Sequence, residues 1–161
     1  MRPEPWKTGA SATMREKAEI VDTMGDGLIV TDLNGNIIFV NRAMDDYLVE
    51  NGVDTKEFIG KSALDLPTVR PEDTKKFAKL MKEVVEKGRA GPLEFQDVAG
   101  CWGSITVSLL KDTNGDPSAL FAVRRDITER KWVEEKIRQQ NELLEKVLES
   151  LIYPHYVRKA S

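Results

Sequence analysis

Two short apolar runs joined by a polar segment constrain the fold of this chain more than any other feature. Residues 28–31 and 37–40 are rich in β-branched side chains, and the five residues between them include Asn34-Gly35. Asn-Gly supplies the positive φ angles of a tight hairpin turn, and we expect Asp32 to bind backbone N–H groups of that turn. Both runs are apolar on successive residues, so we expect other elements to cover both faces of the sheet at least in part.

Helical patterns occupy the middle of the chain. Asn41 follows the second strand directly and is expected to cap a helix over residues 41–48. Residues 49–70 predict short helical turns linked by loops. A longer helix is predicted from Pro71 to Lys87, where Gly88 ends it.

Three further strands are predicted over residues 93–98, 102–110 and 119–127. In the middle one, Ile105, Val107 and Leu109 share one face. The element order is two strands, several helices and three strands. It predicts an α+β fold, in which helices pack on one antiparallel sheet of five strands.

The two ends of the chain differ from this central part. Residues 1–13 are expected to be a mobile leader or an expression remnant, and residues 14–24 a short amphipathic helix belonging to the globular unit of residues 14–127. Residues 128–151 are densely charged, lack glycine and proline, and predict one long helix. Residues 152–161 form a tail. The region 147–157 partly matches residues 20–30, which is either a chance match or the start of a second, truncated copy of the unit.

Apolar residues recur along the predicted long helix at alternating spacings of four and three. This seam consists of Val133, Ile137, Gln140, Leu144, Val147 and Leu151. The heptad pattern predicts a parallel two-chain coiled coil with Gln140 as its polar layer, and hence a homodimer. The alternative is a helix that folds back on its own domain.

Composition excludes several classes of function. The 24 Lys and Arg against 27 Asp and Glu leave a net charge of −3, which gives no basic field for binding nucleic acid. One cysteine, Cys101, and one histidine, His155, exclude an internal disulfide, a Cys-rich metal site and any histidine metal site in the first 150 residues. No stretch approaches the roughly 18 apolar residues of a membrane-spanning helix, so we expect a cytoplasmic protein. No catalytic constellation is recognisable, and we expect no enzyme.

Six segments of the sequence, in their order and spacing, together resemble a PAS domain with its C-terminal PAC region. They cover residues 26–37, 40–43, 60–62, 71–73, 111–115 and 125–131, and include Asp26-Gly27-Leu28, Val40-Asn41-Arg42-Ala43, Gly60-Lys61-Ser62 and Arg125-Asp126-Ile127-Thr128. The resemblance spans roughly residues 16–131. It agrees with the strand order derived above without it.

The resemblance implies a sensory or interaction module of a larger signalling protein. Such parents are often two-component sensor histidine kinases, cyclic-dinucleotide enzymes or transcriptional regulators. The module would bind a small molecule between sheet and helices, pair with a second copy and pass a change to a downstream output domain. The rival interpretation is a ligand-free dimerisation or docking module of the same fold.

The resemblance also allows cofactor classes to be tested against this chain. Haem-binding members need an iron-ligating histidine in the long helix, and residues 71–87 contain none. Flavin photoreceptors of the family need a reactive cysteine in the preceding short helices, and residues 58–67 contain none. Cys101 begins a strand and is interpreted as a bystander thiol. We therefore expect neither histidine-ligated haem nor cysteinyl-flavin, and the cofactor, if there is one, stays unidentified.

A candidate pocket is predicted from apolar residues of the long helix and the later strands. They are Phe77, Leu80, Met81, Val84, Leu93, Phe95, Ile105, Val107 and Leu109. The alternative is that these residues form plain core; as a pocket they would favour an uncharged or amphipathic ligand. Arg124 and Arg125 are neighbours on one strand and must point to opposite faces. Whichever faces inward needs a carboxylate or an anionic ligand.

A relay junction is predicted where the last strand turns into the long helix. Asp126 or Thr128 can cap that helix, Asp126 has capping-box spacing to Glu129, and Arg130 is a further candidate partner of Asp126. One interpretation is a cap alone. The other adds a hinge, through which strain in the sheet reorients the coiled coil; Asp126→Ala would then uncouple output while the domain stays folded.

Overall fold

The computed structural model of this chain describes residues 25–152. The predicted leader, the predicted amphipathic helix of residues 14–24, His155 and the rest of the tail beyond Ile152 lie outside the described residues. Within the described part, five strands and four α-helices follow one another. They are β1 (Gly27–Thr31), β2 (Ile37–Val40), α1 (Arg42–Glu50), α2 (Thr55–Phe58), α3 (Thr74–Lys87), β3 (Arg89–Gln96), β4 (Trp102–Lys111), β5 (Pro117–Asp126) and α4 (Thr128–Ile152).

The five strands form one sheet in the order β2-β1-β5-β4-β3, and every neighbouring pair is antiparallel. Helices α1 to α3 lie between β2 and β3 in the sequence, so the chain leaves one edge strand and returns at the other. The predicted α+β fold with a five-stranded antiparallel sheet is confirmed.

The β1–β2 turn is closed by the residues that the sequence indicated, with one difference. Asp32 Oδ1 accepts hydrogen bonds from the backbone N–H groups of Asn34 and Asn36, both at 2.9 Å. Gly35 has a φ of 88°, but no other residue type has a positive φ in the described part of the chain, so the expectation for Asn34 was wrong. The Asp32 side chain closes the turn in its place.

Strand β1 is covered on both faces, as its unbroken apolar run predicted. Leu28, Ile29 and Val30 are all buried. Asn41 helps to hold this strand: its Oδ1 accepts from Met44 N–H at 3.0 Å, which caps α1, and from Leu28 N–H at 2.9 Å. One side chain therefore fixes both the start of α1 and the start of β1.

The long helix and the third strand both begin at positions other than those predicted. Residues Pro71–Asp73 form a 3-10 turn, and α3 starts at Thr74. It ends as expected at Gly88, whose φ is 83° and whose N–H donates to Val84 O at 2.7 Å. Strand β3 then starts at once and ends at Gln96, earlier than predicted, because the Asp97 carboxylate turns the chain by binding Ala99 N–H and Cys101 N–H.

The chain divides into a globular unit that ends at Asp126 and a helical unit that begins at Ile127. In the helical unit, α4 runs unbroken over 25 residues. Its predicted seam residues are exposed; Val133 and Leu144, for example, are 52% and 56% exposed. The long helix is thus confirmed, whereas the coiled coil stays a prediction. No helix among the described residues is long and apolar enough to cross a membrane.

Candidate functional site

A cavity of about 80 Å³ lies between the sheet and the helical excursion. One water molecule needs roughly 10–15 Å³ of such space, so the cavity has room for a small organic molecule. Side chains from α1, α3, all strands except β2 and the loops around Ala63–Asp65 line it. They are Ile29, Thr31, Met44, Tyr47, Ala63, Leu64, Leu66, Thr68, Val69, Phe77, Leu80, Met81, Phe95, Ile105, Val107, Leu120, Ala122 and Arg124.

Most of the predicted pocket residues reach this cavity, and three do not. Phe77, Leu80, Met81, Phe95, Ile105 and Val107 line it. Val84 does not, because it lies one turn further along α3, where it is fully buried among Leu80, Ala90 and Val107. Leu93 and Leu109 also lie outside the lining and pack, partly buried, against the same cluster. The interpretation of these three residues as plain core holds.

Arg124 is the one charged residue among the described residues that line the cavity. It is 8% exposed. Its guanidinium lies over the Tyr47 ring, 4.0 Å from the ring centroid, and 5.9 Å from the centroid of Phe95. Its Nη2 is 3.8 Å from Asp97 Oδ2, close enough for an ion pair but too far for a hydrogen bond. Arg124 Nε and Nη2 are buried and have no hydrogen-bond partner within residues 25–152.

Asp97 connects the Arg124 end of the cavity to three other segments. This residue is 1% exposed. Its Oδ1 accepts from Ala99 N–H and Cys101 N–H at 3.0 and 2.9 Å, and its Oδ2 accepts from Tyr47 Oη–H at 2.6 Å. The Asp97 carbonyl accepts from Arg70 Nε at 3.1 Å. The carboxylate is therefore held by three hydrogen bonds that do not involve Arg124.

Tyr47 stays a neutral hydrogen-bond donor in this environment. Burial and the hydrogen bond to Asp97 raise the pKa of its phenol well above its ordinary value, and the nearby charge of Arg124 opposes this only in part. The phenol therefore keeps its proton throughout the physiological range, and with it the bond that fixes α1 to the end of β3.

The structure resolves the open question of which arginine faces inward. Arg124 points to the cavity side, whereas Arg125 points away and pairs with Asp26 through Nη2 and Oδ2 at 3.1 Å. Side chains alternate between the two faces of β5, so Leu120, Ala122 and Arg124 share the face that lines the cavity. The sequence alone could not select that face, since Phe121 and Val123 on the other face are also apolar.

Tyr47 and Asp97 were missed as members of the site. Tyr47 lies in the helix predicted over residues 41–48, where nothing in the local pattern indicates a partner for its hydroxyl. Asp97 was placed inside a strand. A buried tyrosine usually finds a hydrogen-bond partner, and that rule would have prompted a search for one.

The predicted relay residues flank the boundary between the two units. Asp126 is the last residue of β5, and Thr128 is the first residue of α4. Arg130 pairs within α4 with Glu134, Nε to Oε1 at 3.5 Å. Their capping and hinge roles stay predictions. Elsewhere, residues 25–152 contain no cluster of three or more His, Cys, Asp or Glu side chains that could hold a metal ion.

The sheet order and the helical excursion between the two edge strands are those of a PAS-type α+β domain. A family model described as PAS fold matches residues 21–131, and the chain belongs to this family. The predicted family is thereby confirmed; a distinct PAC region is not separately shown. No curated protein sequence matches this chain.

Solved structures with the same fold come from several bacteria. The PAS domain of a Colwellia psychrerythraea protein is 23% identical and has a TM-score of 0.57, with 73% of this chain and 98% of that chain covered. A sensory box histidine kinase/response regulator from Burkholderia thailandensis is 17% identical at a TM-score of 0.57, with 81% and 98% covered.

A third similar structure is VqmA from Vibrio cholerae, described as bound to DPO. It is 18% identical at a TM-score of 0.56, with 74% of this chain but 60% of that chain covered. At these identities the likeness establishes the fold alone.

Proposed function

We propose that this chain is a signal-input module that binds a small molecule in the cavity and passes the resulting change to a downstream output domain through α4. The observation that carries the proposal is the apolar cavity between sheet and helices, with the buried cation Arg124 in its wall. Protein interiors are close-packed, and voids larger than a water molecule are few. A module that served only for docking would have no need of such a space.

The structural neighbours supply supporting analogies. VqmA is described with a bound ligand, and the Burkholderia thailandensis protein as a sensory box histidine kinase. We propose that this chain belongs to a comparable signalling protein, with a two-component sensor histidine kinase as the first choice. A cyclic-dinucleotide enzyme or a transcriptional regulator is the alternative parent. The single cysteine fits a reducing compartment, and we place the module in the cytoplasm.

The proposed relay follows the covalent path of the chain. Strand β5 carries Arg124 and, two residues later, ends at Asp126, from which only Ile127 separates the start of α4. A ligand that moves Arg124 would therefore act on the strand that continues into this helix. We assign the hinge role to Asp126, Thr128 and Arg130. No catalytic step is part of the proposal, since the described lining contains no carboxylate, histidine or cysteine.

Native mass spectrometry of the purified chain tests ligand binding. We expect a stoichiometric bound compound that is released on denaturation. Ala122→Leu, which adds side-chain volume to the cavity wall, should exclude it, whereas Val85→Leu on the exposed face of α3 should not. Repeated absence of any bound compound, together with no binding of added small molecules, would favour the ligand-free docking module.

Analytical ultracentrifugation tests the proposed dimer. The seam residue Leu144 and its neighbour Leu143 are both exposed in the single chain, at 56% and 64%. Leu144→Glu places a charge inside the seam and should shift the sedimentation coefficient to that of a monomer, whereas Leu143→Glu lies outside the seam and should leave the dimer intact. A dimer that survives Leu144→Glu, or a wild-type monomer at high concentration, would refute pairing through this seam.

A further inference from the structure

We propose that the bound molecule is a small uncharged hydrocarbon, or a close relative of one, that is held in the cavity without a hydrogen bond to its wall. This inference rests on the proposed function, because it names the chemical class of the ligand. The sequence left both an uncharged and an amphipathic ligand open. The observation that decides between them is a wall with four polar side chains that nevertheless exposes almost only apolar atoms.

Arg124, the first of these side chains, is enclosed by the protein rather than presented to a ligand. Its Nε and Nη2 have essentially no accessible surface. A Cβ atom at Gly103 would lie 3.1 Å from Nε, so strand β4 packs directly against this edge of the guanidinium. The Tyr47 ring covers one face of the group, and Asp97 Oδ2 lies 3.8 Å from Nη2. The charge is therefore balanced within the chain, and these two nitrogens lie beyond the reach of a ligand.

The three hydroxyl groups of the wall are engaged by partners in the chain. Tyr47 Oη–H donates to Asp97 Oδ2 at 2.6 Å, and Thr31 Oγ1–H donates to the Asp32 carbonyl at 2.9 Å. Thr68 is buried, and its hydroxyl interacts with the Tyr47 phenol. A polar group of a ligand would therefore give up its hydrogen bonds to water and gain none from these side chains, which is costly.

Water is also a poor occupant of this space. A buried water molecule needs about two to four polar partners, and an apolar cavity that lacks them stays dry. Among the described residues, the cavity wall offers almost no polar surface. An apolar ligand would therefore displace no strongly held water, and it would gain the free energy of removing its own surface from water.

Aromatic rings and methionines give the wall its shape. Phe77 and Phe95 meet edge to face, with their ring centroids 4.9 Å apart. Met44 and Met81 line the same cavity. Methionine is flexible and fills irregular gaps, and its sulfur contacts aromatic rings favourably. Such a wall recognises a ligand by the fit of its carbon surface and not by a polar group.

The volume limits the size of the ligand. An apolar cavity of about 150 Å³ accommodates benzene, which has six carbon atoms. The cavity of about 80 Å³ is roughly half that size, so it fits about three to five carbon atoms. Because the cavity is partly open, a molecule of this size can enter it without unfolding of the domain.

The test compares cyclopentane with tetrahydrofuran, a ring of nearly the same shape in which an ether oxygen replaces one CH₂ group. Both are titrated into the full chain at neutral pH and followed by NMR shifts of the backbone amides around the cavity. We expect cyclopentane to bind at least about tenfold more tightly, because the wall leaves the ether oxygen without a donor. Ala122→Leu should abolish the shifts, and Val85→Leu, on the exposed face of α3, should retain them.

Xenon locates the site without any substitution. It has no hydrogen-bonding group and fills apolar cavities, so it should shift the same amides of the wild-type chain as cyclopentane does. Xenon also keeps the test valid if Ala122→Leu fails to fold.

Tetrahydrofuran that binds as tightly as cyclopentane would show that the wall supplies a donor. It would overturn the hydrocarbon assignment and leave the sensing function standing. The same holds if the purified chain carries a bound compound but responds to neither cyclopentane nor xenon. A chain with no bound compound and no response to any of the three probes would count against both proposals.

Discussion

The β1–β2 turn and the β4–β5 turn are built from the same short sequence but lie in different surroundings. Both read Asp-x-Asn-Gly, at residues 32–35 and 112–115. In both, the aspartate Oδ1 accepts two backbone N–H bonds, and the glycine N–H donates to the aspartate carbonyl at 3.0 Å. The two glycines have φ angles of 88° and 83°. Local sequence therefore determines the backbone of each turn in the same way.

The difference is what packs on the turn. A Cβ added to Gly35 would lie 2.2 Å from Met81 Cε, whereas one added to Gly115 would meet no atom of the described residues within 4 Å. In the first turn, Ala63 N–H also donates a hydrogen bond to the Gly35 carbonyl, and Asn36 forms an isolated β-bridge with Ser62. Met81 lines the cavity. The same motif thus serves as a surface turn in the β4–β5 hairpin and as part of the support of the site in the β1–β2 hairpin.

The largest expected effect comes from replacing the two glycines. An alanine at a positive φ costs about 1–2 kcal/mol, so Gly115→Ala should lower the free energy of unfolding by about that amount. Gly35→Ala should cost about 2–3 kcal/mol, because Met81 must also move. Urea unfolding of the two variants measures the difference.

The added cost of Gly35→Ala can be traced to its source. In the Met81→Ala background, where the crowding atoms are absent, Gly35→Ala should cost no more than Gly115→Ala. Equal costs in the wild-type background would show that the two turns are energetically equivalent and would break the comparison.

A smaller effect is expected from the two aspartates. Asp32 accepts bonds from two backbone N–H groups and from Asn36 Nδ2, and the bonds to Asn36 are partly buried, whereas those of Asp112 are exposed. Asp32→Ala should therefore cost about 1–2 kcal/mol and Asp112→Ala about 0.5–1 kcal/mol. Thermal unfolding at neutral pH would show this as a larger drop in Tm for Asp32→Ala. The reverse order would mean that tertiary packing adds nothing to this motif.

The smallest effect is a pH dependence in the β1–β2 turn. Burial opposes ionisation of Asp32, but hydrogen bonds from Asn36, Asn34 and Gly35 outweigh it and lower the pKa of this carboxyl. A group with a lowered folded-state pKa stabilises the fold above its unfolded pKa, about 3.9 for aspartate, and loses that contribution as the pH falls through the folded value. The stability advantage of the wild type over Asp32→Asn should be complete at pH 7 and shrink below about pH 4. An advantage that stays constant down to pH 2 would contradict it.

Sequence reasoning succeeded where the signal is local. The hairpin, the Asn41 cap, the Gly88 helix end and the five-strand sheet all depend on neighbouring residues or on short periodicities. The first four residues of β3 were not predicted as strand, because Gly91-Pro92 interrupts the apolar pattern there.

The site itself depends on long-range contacts that no local pattern encodes. Tyr47 and Asp97 are 50 residues apart and meet only because the excursion folds back on the sheet. The inward direction of Arg124 depends on which face of β5 the helices cover, and both faces carry apolar residues. Val84 fits the helical stripe as well as Leu80 does, but the position of the cavity along α3 decides which of the two touches it.

The hydrogen bonds and the ion pair of Asp97 limit which substitutions this part of the domain can accept. One residue engages α1, the Cys101 turn, the Arg70 loop and β5 at once. Replacing Arg124 alone with a neutral residue would leave the Asp97 carboxylate buried without its ion-pair partner. A workable library would vary Arg124, Tyr47 and Asp97 together and hold the length of the 97–101 turn fixed. These contacts tie Arg124, Tyr47 and Asp97 into one unit, so a substitution at any of the three alters the surroundings of the other two.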